Sequence, residues 1–485
     1  MRRTVVTAIA LTALVITGAA VAAEIGANDD TGKYAADSGA VFFPRMAALG
    51  LKQSVMTARF VPSDPTTIQD GAALDRAIPL AQLAGLRVAL AVYPYPPREM
   101  ENGIATPEAF AAWLTLVAER YPSVKQFVVM NEPNQPAFMR PQFGRDGANV
   151  SAATAGALLA AGYDALKAVD PAIRVIGLGL SPRGNDRPTA VSNLSTSPVR
   201  FLAALGVWYR ASGRLQPLMD GLSFHPYPNQ ATDSLDRGYP WPNAGFADVG
   251  RIKQALWDAF RDTPQSTTVN GLKLYLDEVG WQVDTSMLDG YSGIENVRVT
   301  DDASQAGVYA SLVRAVACDP KVAELNIFGF YDDGPRDHGF QAALHRVDGT
   351  PRASAEAVQT AIAETSTGCG DMVVPWYPAK RVIGAVTPVW AIQARRIIRF
   401  DAAADEGANV VACLLPGLLG GAAATTAMAQ RTAASPGCVG GKALPSRPVR
   451  FTMRRSLPLR PATVALRLIA ESSARRSNTF SRTLR

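Results

Sequence analysis

Two glutamates in this 485-residue chain stand where an apolar run stops. Glu132 closes Phe127-Val-Val-Met-Asn-Glu-Pro-Asn134, and Glu278 lies in Leu274-Tyr-Leu-Asp-Glu-Val-Gly-Trp281. Short apolar runs of this kind read as buried strands, so both carboxyls are expected at strand ends and not on a solvated helix face. Two carboxyl groups can divide one reaction: one protonates a leaving oxygen while the other attacks the electrophilic carbon or activates water. Hydrolysis of a glycosidic bond needs such a pair. Asp277 adjoins Glu278, and strict strand alternation would let only one of them point inward; we assign that direction to Glu278. No metal is expected to assist. The histidines are His225, His338 and His345, and none of the four cysteines forms a CxxC, so zinc spacing is absent. No Gly-rich phosphate-binding motif follows any strand, and no cofactor is expected.

The elements that must position this pair form a regular series. Apolar runs at Ile25 to Ala27, Val55 to Phe60, Leu86 to Tyr93, Val124 to Met130, Ile173 to Leu178, Gly221 to His225, Leu272 to Asp277 and Leu325 to Tyr331 read as eight strands. Segments of helical period follow each of them: Phe43 to Leu49, Ala72 to Leu83, Pro107 to Glu119 behind an N-cap at Thr106, Ala152 to Val169, Phe201 to Tyr209, Ala247 to Phe260, Ala303 to Val316 and Ala353 to Ile362. Eight strand and helix pairs predict an α/β fold, a (β/α)8 TIM barrel over residues 24–368. Functional groups on such barrels collect at the C-terminal ends of the strands. Asp29, Asp30, Arg59, Tyr93, Tyr95, Asn131, Glu132, His225, Tyr227, Glu278, Trp281, Phe330, Tyr331 and Asp332 all fall there. Strands four and seven face each other across the mouth, which brings Glu132 opposite Glu278. The long loop from Pro226 to Asp248, with Trp241, is expected to form a cleft wall.

The rest of the chain sets the setting. Met1-Arg2-Arg3, an apolar stretch from Val5 to Val21 and the small residues Ala22 and Ala23 predict a secretory signal over residues 1–23 and a secreted product. An exported chain with four cysteines suggests two disulfides, and pairing Cys318 with Cys369 and Cys413 with Cys438 keeps each within one domain. Residues 372–485 lose the alternation. Extended runs at Val386 to Ala391, Val410 to Leu415, Val449 to Met453 and Ala462 to Ile469 predict a small all-β domain, read as a β-sandwich. Val410 to Met428 reads as strand and loop, and the Ala/Gly/Thr-rich stretch from Gly417 to Ala434 has no assignment. The formal charge of +6 is local: residues 446–485 carry ten Arg against Glu471 alone, leaving the body slightly acidic. That balance argues against a nucleic-acid partner, and no membrane partner is expected once the leader is cleaved.

Asn131-Glu132-Pro133 after the fourth strand, His225-Pro-Tyr227 after the sixth and Glu278-Val-Gly-Trp281 after the seventh together resemble the retaining glycoside hydrolases of clan A. The cellulase-like family and the β-xylosidase and α-L-iduronidase-like family are the nearest, over roughly residues 24–366. The resemblance implies a carbohydrate substrate, Glu132 as general acid/base and Glu278 as nucleophile. It implies Asn131 as donor to the sugar hydroxyl beside the anomeric carbon, and His225 as an orienting or sugar-contacting group. Arg59 and Tyr227 are then the candidates to keep Glu278 ionised. Trp281, Phe330 and Tyr331 are expected as the platform for a sugar face. The eighth strand departs from the clan pattern, offering Phe328, Phe330 and Tyr331 where a tryptophan is common. The competing reading is a non-catalytic carbohydrate-binding or cell-surface protein on the same barrel.

Overall fold

A computed structural model describes residues 22–292, 294–334, 339–366, 378–379, 381–385, 391–393, 396–405, 407–445, 447–471 and 475–485. Eight parallel strands close into a barrel in chain order: β1 Glu24–Asn28, β2 Gln53–Phe60, β3 Arg87–Pro94, β4 Gln126–Val129, β5 Arg174–Leu180, β6 Gly221–Phe224, β7 Lys273–Val279 and β8 Val322–Phe328. β8 pairs with β1 over Glu24↔Glu324 to Asn28↔Phe328, which completes the ring. Around it run α1 Thr31–Tyr34, α2 Phe42–Ala48, α3 Gly71–Leu83, α4 Pro97–Glu101, α5 Pro107–Arg120, α6 Ser151–Val169, α7 Pro198–Ser212, α8 Val249–Phe260, α9 Asp302–Ala317 and α10 Ala353–Thr365. Each expected strand and helix forms. The two additions, α1 and α4, are one-turn pieces too short to leave a periodic signal. Thr106 caps α5 as its type and place suggest, accepting from the Ala109 amide at 3.2 Å.

Alternation within the strands sorts two environments. Leu90, Val92, Phe127, Val129, Leu222 and Phe224 pack outward against the helices in the main core. Val55, Ala89, Ala91, Val128, Ile176 and Tyr275 form a separate cluster inside the barrel. Beneath that cluster Glu324 is held by Gln53 Nε2 at 2.7 Å, Gln126 Nε2 at 2.8 Å and Arg87 Nη2 at 3.0 Å, which closes the bottom of the ring with hydrogen bonds in place of apolar packing.

Among the described residues the C-terminal part is all-β apart from one helix. Its strands are β9 Arg381–Val382, β10 Ala391–Gln393, β11 Ile397–Ala402, β12 Ala408–Pro416, β13 Cys438–Ala443, β14 Val449–Arg454, β15 Ala462–Ala470, β16 Arg475–Arg476 and β17 Asn478–Leu484. Sheets of order β10-β11-β14 and β13-β12-β15-β17 share a core of Ile398, Phe400, Phe451, Val410, Val464 and Leu466, the arrangement of a small sandwich. The expected run from Val386 to Ala391 lies mostly outside the described residues. One correction applies to the stretch beyond Pro416. Gly421–Met428 is a helix, α11, whose Ala424 and Met428 are buried with Val411, Cys413, Leu415 and Ala465 on one face of the sheet. Ala is the strongest helix former, and a covered apolar stripe overrides the local glycines. Cys413 and Cys438 form the expected disulfide between paired strands. Cys318 is also disulfide-bonded; its expected partner, Cys369, lies outside the described residues, as do residues 1–21 of the expected leader. No described helix is long and apolar enough to cross a membrane.

Trp241 serves the contact between the two parts. Its ring packs against Gly384, where a Cβ would approach within 2.4 Å, and the Arg200 guanidinium lies over it at 5.0 Å. Arg200 is buried, with Asp186 at 3.5 Å and the Ala385 carbonyl at 3.4 Å. The expected cleft-wall tryptophan is thus occupied in joining the barrel to the sandwich.

Candidate active site

At the mouth, the backbone around Glu132 leaves regular strand geometry. Met130 and Glu132 after β4 have φ of +81° and +38°, and Leu178 in β5 has +87°. Bulky L-residues adopt this region rarely and at a cost of about 1–3 kcal/mol each, a cost that persists where surrounding structure enforces it. The enforcement is visible. Glu132 N donates to the Gly179 carbonyl at 2.9 Å, and Asn134 clamps the next loop, donating from Nδ2 to the Ser181 and Thr196 carbonyls at 3.1 and 2.9 Å and accepting from Ser181 N at 3.0 Å. The second asparagine of Asn-Glu-Pro-Asn is therefore structural. Gly179, at φ +53°, has no alternative side chain: a Cβ there would stand 2.9 Å from His225 Nε2.

One imidazole joins the two glutamates. His225, fully buried at the end of β6, presents Nδ1 to Glu132 Oε1 at 3.2 Å and to Glu278 Oε2 at 3.4 Å. Both acceptors gather on one ring nitrogen, so their separation is less than those two distances laid end to end. The Glu132 and Glu278 side chains are 17% and 14% exposed. Glu278 has further donors: Tyr227 Oη at 2.9 Å and Asn28 Nδ2 at 3.4 Å. Burial pushes the Glu278 carboxyl up; the His225 charge opposes that shift, Glu132 adds to it, and the Tyr227 hydrogen bond opposes it. Burial disfavours charge on His225, yet Glu278, Glu132 and Asp277 outweigh it and carry the imidazole up to about 9. Burial and the neighbouring carboxylates push the Tyr227 phenol well above its usual range, so it stays a donor.

The other expected residues divide. Asn131 is half-buried beside Glu132, and its side chain has no hydrogen-bond partner among the described residues, leaving it free for a ligand. Tyr227 does reach Glu278, donating to its Oε2 at 2.9 Å. Arg59 does not: its guanidinium lies 3.6 Å from Asp70 and 5.8 Å from the centre of the Tyr95 ring, with no contact to Glu278. The reason is competition, since Asp70 is buried beside it and also accepts from Tyr34 Oη at 2.5 Å. Trp281 is only 2% exposed, its Nε1 bonded to the Asp233 carbonyl at 2.9 Å, and Phe330 is fully buried, so neither ring can stack on a sugar. Tyr331 is partly exposed but turns to Arg45, which donates to its hydroxyl at 2.8 Å, and to Phe42.

Phe328 and Phe340 stand beside Tyr227 instead. Their rings meet at 5.4 Å and flank Tyr227 at 6.2 and 5.3 Å, and both are half-buried. Gly280 admits Phe340, since a Cβ there would come within 2.9 Å of its ring. Tyr93 also faces the mouth, near enough to Asp30, Glu278 and Arg59 for their charges to act on it. Asn28 and Phe340 carried no sequence signal beyond position: Asn28 ends β1, and Phe340 sits in a loop with no periodicity. Among the described residues no cluster could hold a metal ion.

No family model matches the chain, and no curated protein does. Among solved structures it is similar to a family 39 glycoside hydrolase from the gut symbiont Bacteroides cellulosilyticus, at 14% identity over 90% of this chain and 81% of that one, with a TM-score of 0.46. It is similar to GH5_18 from Streptomyces cattleya in complex with GlcNAc, at 15% identity over 75% and 84% of the two chains, with a TM-score of 0.49. A glucosidase from Croceicoccus marinus is 12% identical over 90% and 94%, with a TM-score of 0.47. The eight paired strands establish by themselves that this chain is a closed (β/α)8 barrel.

Proposed function

We propose that this chain is a secreted retaining O-glycoside hydrolase acting on a polysaccharide or oligosaccharide. The observation that carries the reading is the pair Glu132 and Glu278 gathered on one nitrogen of His225 at the barrel mouth. Two carboxyl oxygens at 3.2 and 3.4 Å from one nitrogen span the retaining arrangement, with carboxyl groups about 5–5.5 Å apart, and reach only the lower edge of the inverting one at about 6.5–9.5 Å, which must admit a water between base and sugar.

Glu132, protonated, gives its proton to the glycosidic oxygen while a carboxylate oxygen of Glu278 attacks the anomeric carbon. The C–O bond to the leaving alcohol breaks, and a glycosyl ester of Glu278 forms. Glu132, now a carboxylate, takes a proton from water as that water attacks the anomeric carbon. The ester bond breaks, Glu278 recovers its charge and Glu132 its proton. Tyr227 and Asn28 direct donors at Glu278 and none at Glu132, which suits the residue that must begin the cycle ionised. Asn131 would bind the hydroxyl beside the anomeric carbon, and Phe328 with Phe340 would form the apolar wall.

Incubation with 2-fluoro glycosides bearing good leaving groups tests this, because such sugars slow breakdown of the glycosyl ester more than its formation. Intact mass should rise by one glycosyl unit, and peptide mapping should place it on Glu278. A folded protein that takes no label across the panel and releases no sugar from polymer would return the weight to a non-catalytic carbohydrate-binding role. Within the same reading, Tyr227→Phe removes a hydrogen bond to a charged group, worth about 1.5–3 kcal/mol, or roughly 10- to 100-fold in kcat/KM. Its acid limb should move to higher pH, since losing the donor raises Glu278 further. A pH profile equal to the wild type would show that Tyr227 does not act on Glu278.

A further inference from the structure

A third carboxyl group lies directly below the pair. In β7, Leu276 pairs with Leu325 and Val279 with Ile327, so Asp277 and Glu278 together stand against Asn326 alone. This one-residue bulge breaks alternation and turns both acids inward, against the expectation that only one could face the barrel. Asp277 is 1% exposed, and its Oδ1 has no hydrogen-bond partner among the described residues. β6 and β7 pair in parallel with Ser223 beside Tyr275, which carries His225, two residues on, to the level of Asp277; the groups that act on Asp277 are Ser223 and His225 from β6 and its end, Glu278 on its own strand, and Glu324 from β8. Glu324 is already met by Gln53, Gln126 and Arg87. His225, in turn, is faced by Glu132, Glu278 and Asp277.

An unpaired buried carboxyl is costly, and stability alone would favour an apolar residue in this layer. The charge sequence of the reaction supplies a use for it. Before attack the negative charge of the pair lies on Glu278; in the glycosyl ester it lies on Glu132. Asp277 is the one carboxyl beside His225 that neither reacts nor exchanges a proton with the sugar. We propose that Asp277 is a positioning residue acting through His225: its carboxylate favours the cationic imidazole, so that Nδ1–H holds Glu132 and Glu278 as a charged donor while charge passes between them. This rests on the catalytic reading of the pair given above.

The direction of the effect follows from the charges. Burial carries Asp277 up to about 7, with Glu278 and Glu324 raising it and His225 and Ser223 opposing. Below that pH the wild type and Asp277→Asn both present a neutral group, and their acid limbs should coincide. Above it only the wild type carries the charge that supports the imidazolium. In Asp277→Asn the imidazole should lose its proton about 1 pH unit or more lower, and between the two midpoints kcat/KM should fall relative to the wild type.

The chain has three histidines, so ring-labelled protein and a His225→Gln variant assign the His225 resonance for NMR titration. The test follows that midpoint in wild type and Asp277→Asn, alongside the pH profile on any 4-nitrophenyl glycoside that the wild type cleaves. The midpoint should move to lower pH, and kcat/KM should fall relative to the wild type between the two midpoints. An unmoved His225 midpoint in folded Asp277→Asn, or a moved midpoint with kcat/KM unchanged between the two midpoints, overturns the proposal. Should Asp277→Asn not fold, Ser223→Ala replaces it: removing the facing hydroxyl disfavours the Asp277 charge and should give a smaller shift of the same sign. If the wild type cleaves none of the glycosides, the catalytic reading fails, and the His225 midpoint alone decides whether Asp277 governs that imidazole.

Discussion

Glu278→Ala is expected to lower kcat by about 10⁴-fold or more on every glycoside the wild type cleaves, because without the attacking carboxylate the glycosyl ester cannot form. Loss of activity alone would not separate a nucleophile from a structural acid. Azide separates them: it fits the space left by the carboxylate and attacks the anomeric carbon opposite the leaving group. Glu278→Ala with azide should therefore release a glycosyl azide of inverted configuration, read directly from the anomeric coupling constant. A retained azide product would assign Glu278 to the other role, and full activity in the variant would remove it from the mechanism.

Glu132→Ala should give the complementary pattern. Protonation of the leaving oxygen is worth about 10²–10⁴-fold when that oxygen leaves reluctantly, so alkyl glycosides should lose activity by that factor. A dinitrophenyl leaving group needs no proton, and its first step should fall little. The second step then limits the rate, since no base activates water, and the glycosyl ester on Glu278 should accumulate to a mass-detectable level. Azide, already anionic, should release it as a glycosyl azide of retained configuration. Equal losses on alkyl and dinitrophenyl substrates would show that Glu132 does not act as the proton donor.

The structure also tells why the aromatic assignments divided as they did. Tyr227, two residues beyond His225, was legible because the strand end aims it at Glu278 and the pair demands a donor there. Trp281 occupies a comparable position three residues beyond Glu278, yet it turns into the core, where Tyr309 and the Asp233 carbonyl receive it. Nothing in Val-Gly-Trp distinguishes a ring over the mouth from one behind the strand. Arg59 was expected to support Glu278 because a cation near a nucleophile is chemically apt; the partner it has, Asp70, lies at the start of α3 and carried no sequence mark of being its neighbour.

Periodicity and strand-end chemistry by themselves determined the eight-stranded barrel and the place of both glutamates at the ends of strands four and seven. These are local properties: an apolar run buries because of its own composition, and barrel closure makes every strand end point to one mouth. Only the tertiary structure decided that His225 faces both glutamates with one nitrogen, that Asn28, Phe328 and Phe340 enclose the site, and that a bulge brings Asp277 inward beside Glu278. Those features depend on the register between neighbouring strands and on which of several possible partners lies within a hydrogen bond's reach. A sequence specifies its residues in one dimension, whereas register and partner choice are settled by packing across strands distant along the chain.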